Sequence, residues 1–229
     1  MASDAAARRN WPASERPTRR LLSQGAQALS DAELLALLMG GGSGAASGLE
    51  AARLALSRLG GLAGVVSASR SQFAAIAGLD PRTHGRAQAA LEIAKRLLRQ
   101  DLDRGPVLNA PARVRDYLRL SFGRIGHEVF TVLFLDAQQR LIACEELFRG
   151  TLTQTSVYPR EVVRRALTLN CASVILSHNH PSGIAEPSRA DQVLTRELQN
   201  ALKLIDVQVL DHIIVAAAES VSFAEMGLL

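Results

Sequence analysis

The sequence predicts an α/β domain, a mixed sheet with flanking helices, preceded by an all-helical domain. Three observations carry this expectation. The first half reads as one helix after another, each bounded by a cap or by glycine. The second half alternates apolar, β-branched runs with amphipathic helical stretches. Between them Asp101–Ala112, with Gly105, Pro106, Asn109 and Pro111, reads as a linker, which sets the domains at 1–105 and 106–229.

Residues 1–20 are polar and Arg-rich and are expected to form a loose arm. Ser30-Asp31-Ala32-Glu33 is a capping box, and the apolar run Leu34, Leu35, Leu37, Leu38 follows it. Gly40–Gly42 ends that helix. A second helix is expected from Ala46 to Leu59, stopped by Gly60-Gly61, and a short one near Ser71–Ile76. Gly78-Leu79-Asp80-Pro81 turns the chain into a long helix over Thr83–Gln100.

In the second half a short helix covers Ala112–Leu120. Val129–Leu135 is a strongly apolar strand, and Asp136–Gln139 turns it into a returning strand over Arg140–Phe148. Pro159 opens a helix to Leu169, a favoured place for proline. Ala172–Ser177 is a short strand and Ser188–Leu204 a helix. Two short strands, Val207–Leu210 and His212–Ala216, and a last one at Val221-Ser222 complete a mixed sheet.

Composition narrows the function classes. The chain has 229 residues, 48% hydrophobic and 21% charged, which excludes wholesale disorder. No apolar run approaches the length of a membrane-spanning helix, and the N-terminus lacks the apolar core of a secretory signal. Cys144 and Cys171 match no metal-ligand spacing and read as small buried packing residues; a reducing, cytoplasmic location is expected. Aromatic residues make up 4%, too few for a base-stacking platform. The net charge of +4 is uneven. Residues 1–105 carry 14 Arg/Lys against 9 Asp/Glu, net +5, and residues 106–229 are net −1.

The densest polar cluster is Ser177–Asp191. It follows an apolar strand directly, and alternation puts His178 and His180 on one side of the extended chain. The loop with Pro181, Gly183 and Pro187 can fold back and bring Asp191 over the same point. Two imidazoles and a carboxylate, with a fourth position left to water, match a catalytic zinc site. Ser188-x-x-Asp191 also reads as a helix capping box; the two roles are compatible, because a carboxylate has two oxygens and a helix N-terminus favours its anionic form.

His-x-His, then Asp ten residues later with Ser three before it, resembles the JAMM signature of MPN-type metalloproteases. Five segments resemble the RadC family, historically described as DNA repair proteins. They are Leu147–Thr151, Tyr158–Val163, His178–Gly183, Leu210–Ile214 and Val221–Glu225. The resemblance implies an MPN/JAMM-like fold for the second half and a zinc-dependent peptidase or isopeptidase-like hydrolase acting on a protein or peptide. It assigns His178, His180 and Asp191 as zinc ligands and Ser188 to the bound water or the developing oxyanion. It assigns the general base to Glu128, just before the Val129 strand; without it Glu145, Glu146 and Glu161 would stand equally. Asn179 stands where many JAMM sequences have serine, as is common in RadC proteins. His212 and Asp211 read as residues that support the site from behind the ligands. Arg160 could bind a carboxylate or phosphate.

Gly78-Leu79-Asp80 with the following helix resembles the second half of a helix-hairpin-helix unit, which presents backbone N–H groups to a phosphate. Here Asp80 replaces the second glycine and Thr83 stands where lysine is frequent, so the unit is degenerate. The arginines Arg8, Arg9, Arg16, Arg19, Arg20, Arg82 and Arg86 remain as candidates for weak, salt-sensitive DNA contact. A DNA-associated repair protein with a non-catalytic metal site is the alternative function.

Overall fold

The computed structural model describes residues 12–40, 45–103, 105–107, 110–150 and 157–229. The chain divides into two compact units, Met1–Ala94 and Lys95–Leu229. Helix α1 spans Pro17–Gln24, α2 Asp31–Leu38, α3 Ala45–Leu59, α4 Leu62–Ser67, α5 Arg70–Ala74 and α6 Pro81–Asp103. The division between the units falls inside α6. The expected linker is reduced to the few residues between α6 and α7 (Pro111–Phe122). Part of it is packed, since Val107 is buried and its N–H bonds Gln139 O at 2.9 Å.

The expected loose arm is corrected over its second part, because α1 begins at Pro17. Proline fits the first turn of a helix, where its missing N–H is not needed. Arg20 of α1 then pairs with Glu33 at 2.5 Å and also hydrogen-bonds Ala28 O. Arg8 and Arg9 lie outside the described residues. Helix α2 starts at the anticipated box: Ser30 Oγ accepts the Glu33 N–H, and Glu33 Oε2 accepts the Ser30 N–H at 2.9 Å. The Ser30 N–H, with Ser30 Oγ and Arg20, holds the Glu33 carboxyl below its ordinary value against the opposing effect of burial. Ser30→Ala is expected to cost about 1 kcal/mol in a denaturant melt. Glu33 is lowered in the folded state. Its contribution is therefore complete above its unfolded value and fades as pH falls through the folded one, so the Ser30→Ala deficit shrinks in acid. Leu35, Met39, Leu49, Ala52, Ala55, Val65, Phe73 and Ile76 form the core of this unit.

The second unit holds one five-stranded sheet of order β2-β1-β3-β4-β5. Strand β1 is Val129–Leu135, β2 Leu141–Arg149, β3 Ser173–Asn179, β4 Gln208–Val215 and β5 Ser220–Ser222. Helix α8, Pro159–Leu169, precedes β3, and α9, Arg189–Lys203, connects β3 to β4. Only β3 and β4 run parallel, as a strand–helix–strand crossover requires. Every residue of β1 and β3 is buried, because both strands are internal and both faces of the sheet are covered. Phe130, Val132 and Phe134 of β1, with Val174 and Leu176 of β3, pack on Val162 and Ala166 of α8 and Leu198 and Leu202 of α9. Leu133, Leu135 and Ile175 face the other way, toward Leu102 of α6 and Val114 and Leu118 of α7.

The two short strands expected at 207–216 are one continuous strand with an irregularity. Val209 pairs with Val174, but Ile175 pairs with Asp211, so β4 carries one extra residue there. Such a bulge reverses which residues face which side. It brings His212 opposite Leu176, onto the face that packs against α9. Cys144 and Cys171 are both free, and burial pushes the Cys144 thiol up to about 11, the state of an inert packing residue. No helix among the described residues is long and apolar enough to cross a membrane.

Candidate metal centre

The site forms where β3 leaves the sheet. Strand β3 continues through His178 and Asn179 rather than ending at Ser177. His178 and His180 therefore point to one side while Asn179 points to the other. His178 lies beside Phe130 of β1, its cross-strand partner, with the rings stacked at 6.3 Å and 12°. The chain then turns sharply. Gly183 takes φ +87°, a left-handed conformation that a side chain would strain, and its N–H bonds His180 O at 3.1 Å. The turn brings the Ile184 carbonyl to 2.9 Å from His180 Nδ1. Glu219 holds the next step of the loop through the Ala185 N–H at 2.9 Å.

Helix α9 begins at Ser188, whose hydroxyl accepts the Asp191 N–H at 3.1 Å; Asp191 Oδ2 accepts the Ser188 N–H at 2.8 Å. The capping box and the approach to the histidines coexist. Asp191 Oδ1 lies 3.2 Å from His178 Nε2, and Oδ2 lies 3.8 Å from His180 Nε2. The two Nε2 atoms are 3.0 Å apart. Burial alone would raise the Asp191 carboxyl. The hydrogen bond and charge of His178, with Ser188, more than reverse this and hold it well below the usual carboxylate range.

These three side chains fit a metal ion on the chemistry of the donors. Ligand atoms of a tetrahedral zinc site with bonds of about 2.05 Å lie about 3.3 Å apart, and the observed separations bracket that value. A carbonyl can only accept, so the Ile184 oxygen takes the His180 Nδ1–H. In the neutral ring this leaves Nε2 as a lone pair aimed at the other two donors. Among the described residues, His178, His180 and Asp191 are the one group of His, Cys, Asp or Glu that meets at a single point.

The remaining candidates sit around this group. Glu128 is half-buried on the approach to β1, and its carbonyl accepts the Gly150 N–H at 2.8 Å. Glu128 lies two residues before Phe130, and strand alternation continued past Val129 predicts the same face for it. Asn179, read only as a substitution between the histidines, is fully buried. It ties this approach segment to β3: Oδ1 accepts the Val129 N–H at 2.7 Å, and Nδ2 donates to Ile125 O and His127 O at 3.1 and 3.0 Å. His212 is fully buried with Nε2 2.8 Å from His178 Nδ1. Burial, with His178 nearby, pushes its imidazole well below the ordinary histidine value. Asp211 makes no hydrogen bond to His178, His180 or Asp191; it accepts from the His212 N–H, the Ser222 hydroxyl and the Ala224 N–H. Glu145 pairs with Arg165 in a two-pronged contact, and Glu161 with Arg164 at 2.6 Å. Arg160 lies over the Tyr158 ring and beside Glu161. Thr195, which the sequence reading did not single out, touches both His212 and Asp191.

The turn at Gly78–Pro81, the part that resembles a helix-hairpin-helix unit, leads into α6. Asp80 Oδ1 accepts the Thr83 N–H at 2.7 Å and the Thr83 hydroxyl at 2.6 Å, so its carboxylate caps the start of α6.

Comparison with known proteins finds matches in both halves. The RadC-like JAB domain family matches residues 108–228, and the UPF0758 N-terminal family matches residues 9–84. A UPF0758 protein of Leptothrix cholodnii is 55% identical over 221 residues, which cover 96% of this chain and 100% of the relative. One from Methylibium petroleiphilum is 53% identical over the same shares, and one from Nitrosomonas eutropha is 51% identical over 96% of this chain and 98% of its own. Two domain matches in the same order, and identity of this degree along nearly the whole length, make the chain a member of the UPF0758 family, with a RadC-like JAB domain as its second half.

Proposed function

We propose that the second unit is a zinc-dependent hydrolase of the JAMM type, cleaving an amide bond in a protein or peptide. The convergence of His178, His180 and Asp191 at one end of the sheet carries this reading. A zinc ion there supplies a Lewis acid for a carbonyl and lowers the pKa of a water to about 7. Glu128, on the same face, takes the proton from the attacking water and returns it to the leaving amine. Ser188 keeps its hydroxyl on the Asp191 N–H and so fixes the carboxylate of that residue at the mouth of the site.

Metal analysis of purified protein tests the reading. One equivalent of zinc is expected in the wild type, and less than a tenth of that in His178→Ala and His180→Ala. Unchanged zinc in both variants defeats the proposal.

The charge of the first half favours a second reading, weak DNA contact. Arg20 and Arg86 already make contacts within that unit, while Arg16, Arg19 and Arg82 are exposed. Titration of labelled DNA at rising salt is expected to show weak binding that falls steeply, with Asp80→Gly strengthening it. Absence of binding at low salt rejects this contact.

A further inference from the structure

His178 presents its Nε2 toward His180 and Asp191, yet an imidazole offers that nitrogen to a metal only when its proton sits on the other one. Something must decide this. Nδ1 of His178 meets no carbonyl or carboxylate, the usual acceptors for a metal-binding histidine. It meets another imidazole, Nε2 of His212, at 2.8 Å. Between two imidazole nitrogens the proton can belong to either, so the pair alone does not settle which nitrogen of His178 is bare.

The decision lies one step further back. Thr195 Oγ1 is 2.6 Å from the Asp191 carbonyl oxygen and 2.6 Å from His212 Nδ1. Each contact is too short to exist without a proton between its atoms. A threonine hydroxyl has one proton, and a carbonyl has none. The proton on the Asp191 side therefore comes from Thr195, and the one on the other side comes from His212 Nδ1. His212 then carries its proton on Nδ1 and accepts at Nε2. His178 must donate from Nδ1, which in the neutral ring leaves its Nε2 as a lone pair facing His180 and Asp191.

We propose that Thr195 and His212 form a polarity-setting relay, anchored on the backbone carbonyl of Asp191, that locks His178 in the tautomer able to bind a metal. Both are positioning residues, and neither touches the ion or a substrate. The relay is sealed. Thr195 and His212 are fully buried, so no solvent proton competes. Phe223 lies against the His212 ring at 4.8 Å and Phe130 meets it edge-on at 5.8 Å, which prevents the ring from flipping. The bulge in β4 is what turns His212 to this face. The relay also links two of the three donors, since the backbone of Asp191 orients the imidazole of His178.

The inference rests on the reading of His178, His180 and Asp191 as ligands, and two measurements keep the two ideas apart. The first is the imidazole ¹⁵N spectrum of the metal-free, full-length protein. Recorded at a pH where both rings are neutral, it is expected to show His212 and His178 as Nδ1–H tautomers; a neutral Nε2–H tautomer at either residue overturns the relay, whatever the protein binds. The second is zinc affinity by competition with a chromophoric chelator. Thr195→Val is expected to weaken zinc binding 10- to 100-fold, and Thr195→Ser to restore it. Wild-type affinity in Thr195→Val overturns the relay. Should Thr195→Val not fold, His212→Gln replaces it: the amide oxygen still accepts from His178, so near-wild-type affinity is expected, and a loss as large as that of His212→Leu counts against the relay. A wild-type protein that binds no zinc refutes the ligand reading alone.

Discussion

Glu128→Gln is expected to lower amide-bond turnover 100- to 10,000-fold while leaving bound zinc at the wild-type level. The substitution keeps size and hydrogen-bonding capacity and removes only the ability to take a proton. Glu128 stands outside the group of three donors, so the ion has no reason to leave. Glu145 and Glu161 stand outside that group as well, and their carboxylates are held by Arg165 and Arg164. Glu145→Gln and Glu161→Gln are therefore expected to alter turnover less than threefold. A peptide library screened against wild type and Glu128→Gln supplies both the substrate and the measurement. Equal turnover by the two proteins removes Glu128 from the mechanism, and zinc loss in Glu128→Gln makes it a ligand instead.

The parts of the fold that local sequence determines were legible. Strand β1 could be read to the residue, because seven consecutive buried residues between polar turns fit an internal strand and little else. Helix α8 was equally plain, with Pro159 at its start and Asn170 in the left-handed conformation at its end. His178, His180 and Asp191 could be grouped because their spacing combines strand alternation with a helix cap, two local rules. What escaped depends on neighbours distant in the chain. Nothing local shows that β4 crosses Leu210–Asp211 without a break; its pairing with β3 holds the strand together through the bulge. Helix α1 reads as an arm until Glu33 supplies a partner for Arg20. Thr195 is an ordinary mid-helix threonine until the crossover lays α9 against His212.

Asn179 shows the same dependence and has the largest expected effect on stability. Its side chain makes three hydrogen bonds, one fully buried and two part-buried, all to backbone groups between Ile125 and Val129. The identities leave no freedom in the amide's orientation, because a backbone N–H must meet its oxygen and two carbonyls its nitrogen. Asn179→Ala strands the buried Val129 N–H and takes a partner from two half-buried carbonyls. At about 1 to 3 kcal/mol for a buried group left unpaired, the Val129 N–H alone accounts for an expected loss of about 1 to 3 kcal/mol in a denaturant melt. Asn179→Asp should be worse than its similar shape suggests, since a carboxylate would face the Ile125 and His127 carbonyls with no proton to offer. The segment released is the one that carries Glu128. Turnover is therefore expected to fall in Asn179→Ala at temperatures where the protein is still folded, with zinc retained through His178, His180 and Asp191. A variant that loses less than 1 kcal/mol, or that melts early yet turns over normally while folded, would show that the approach to β1 is held by something other than Asn179.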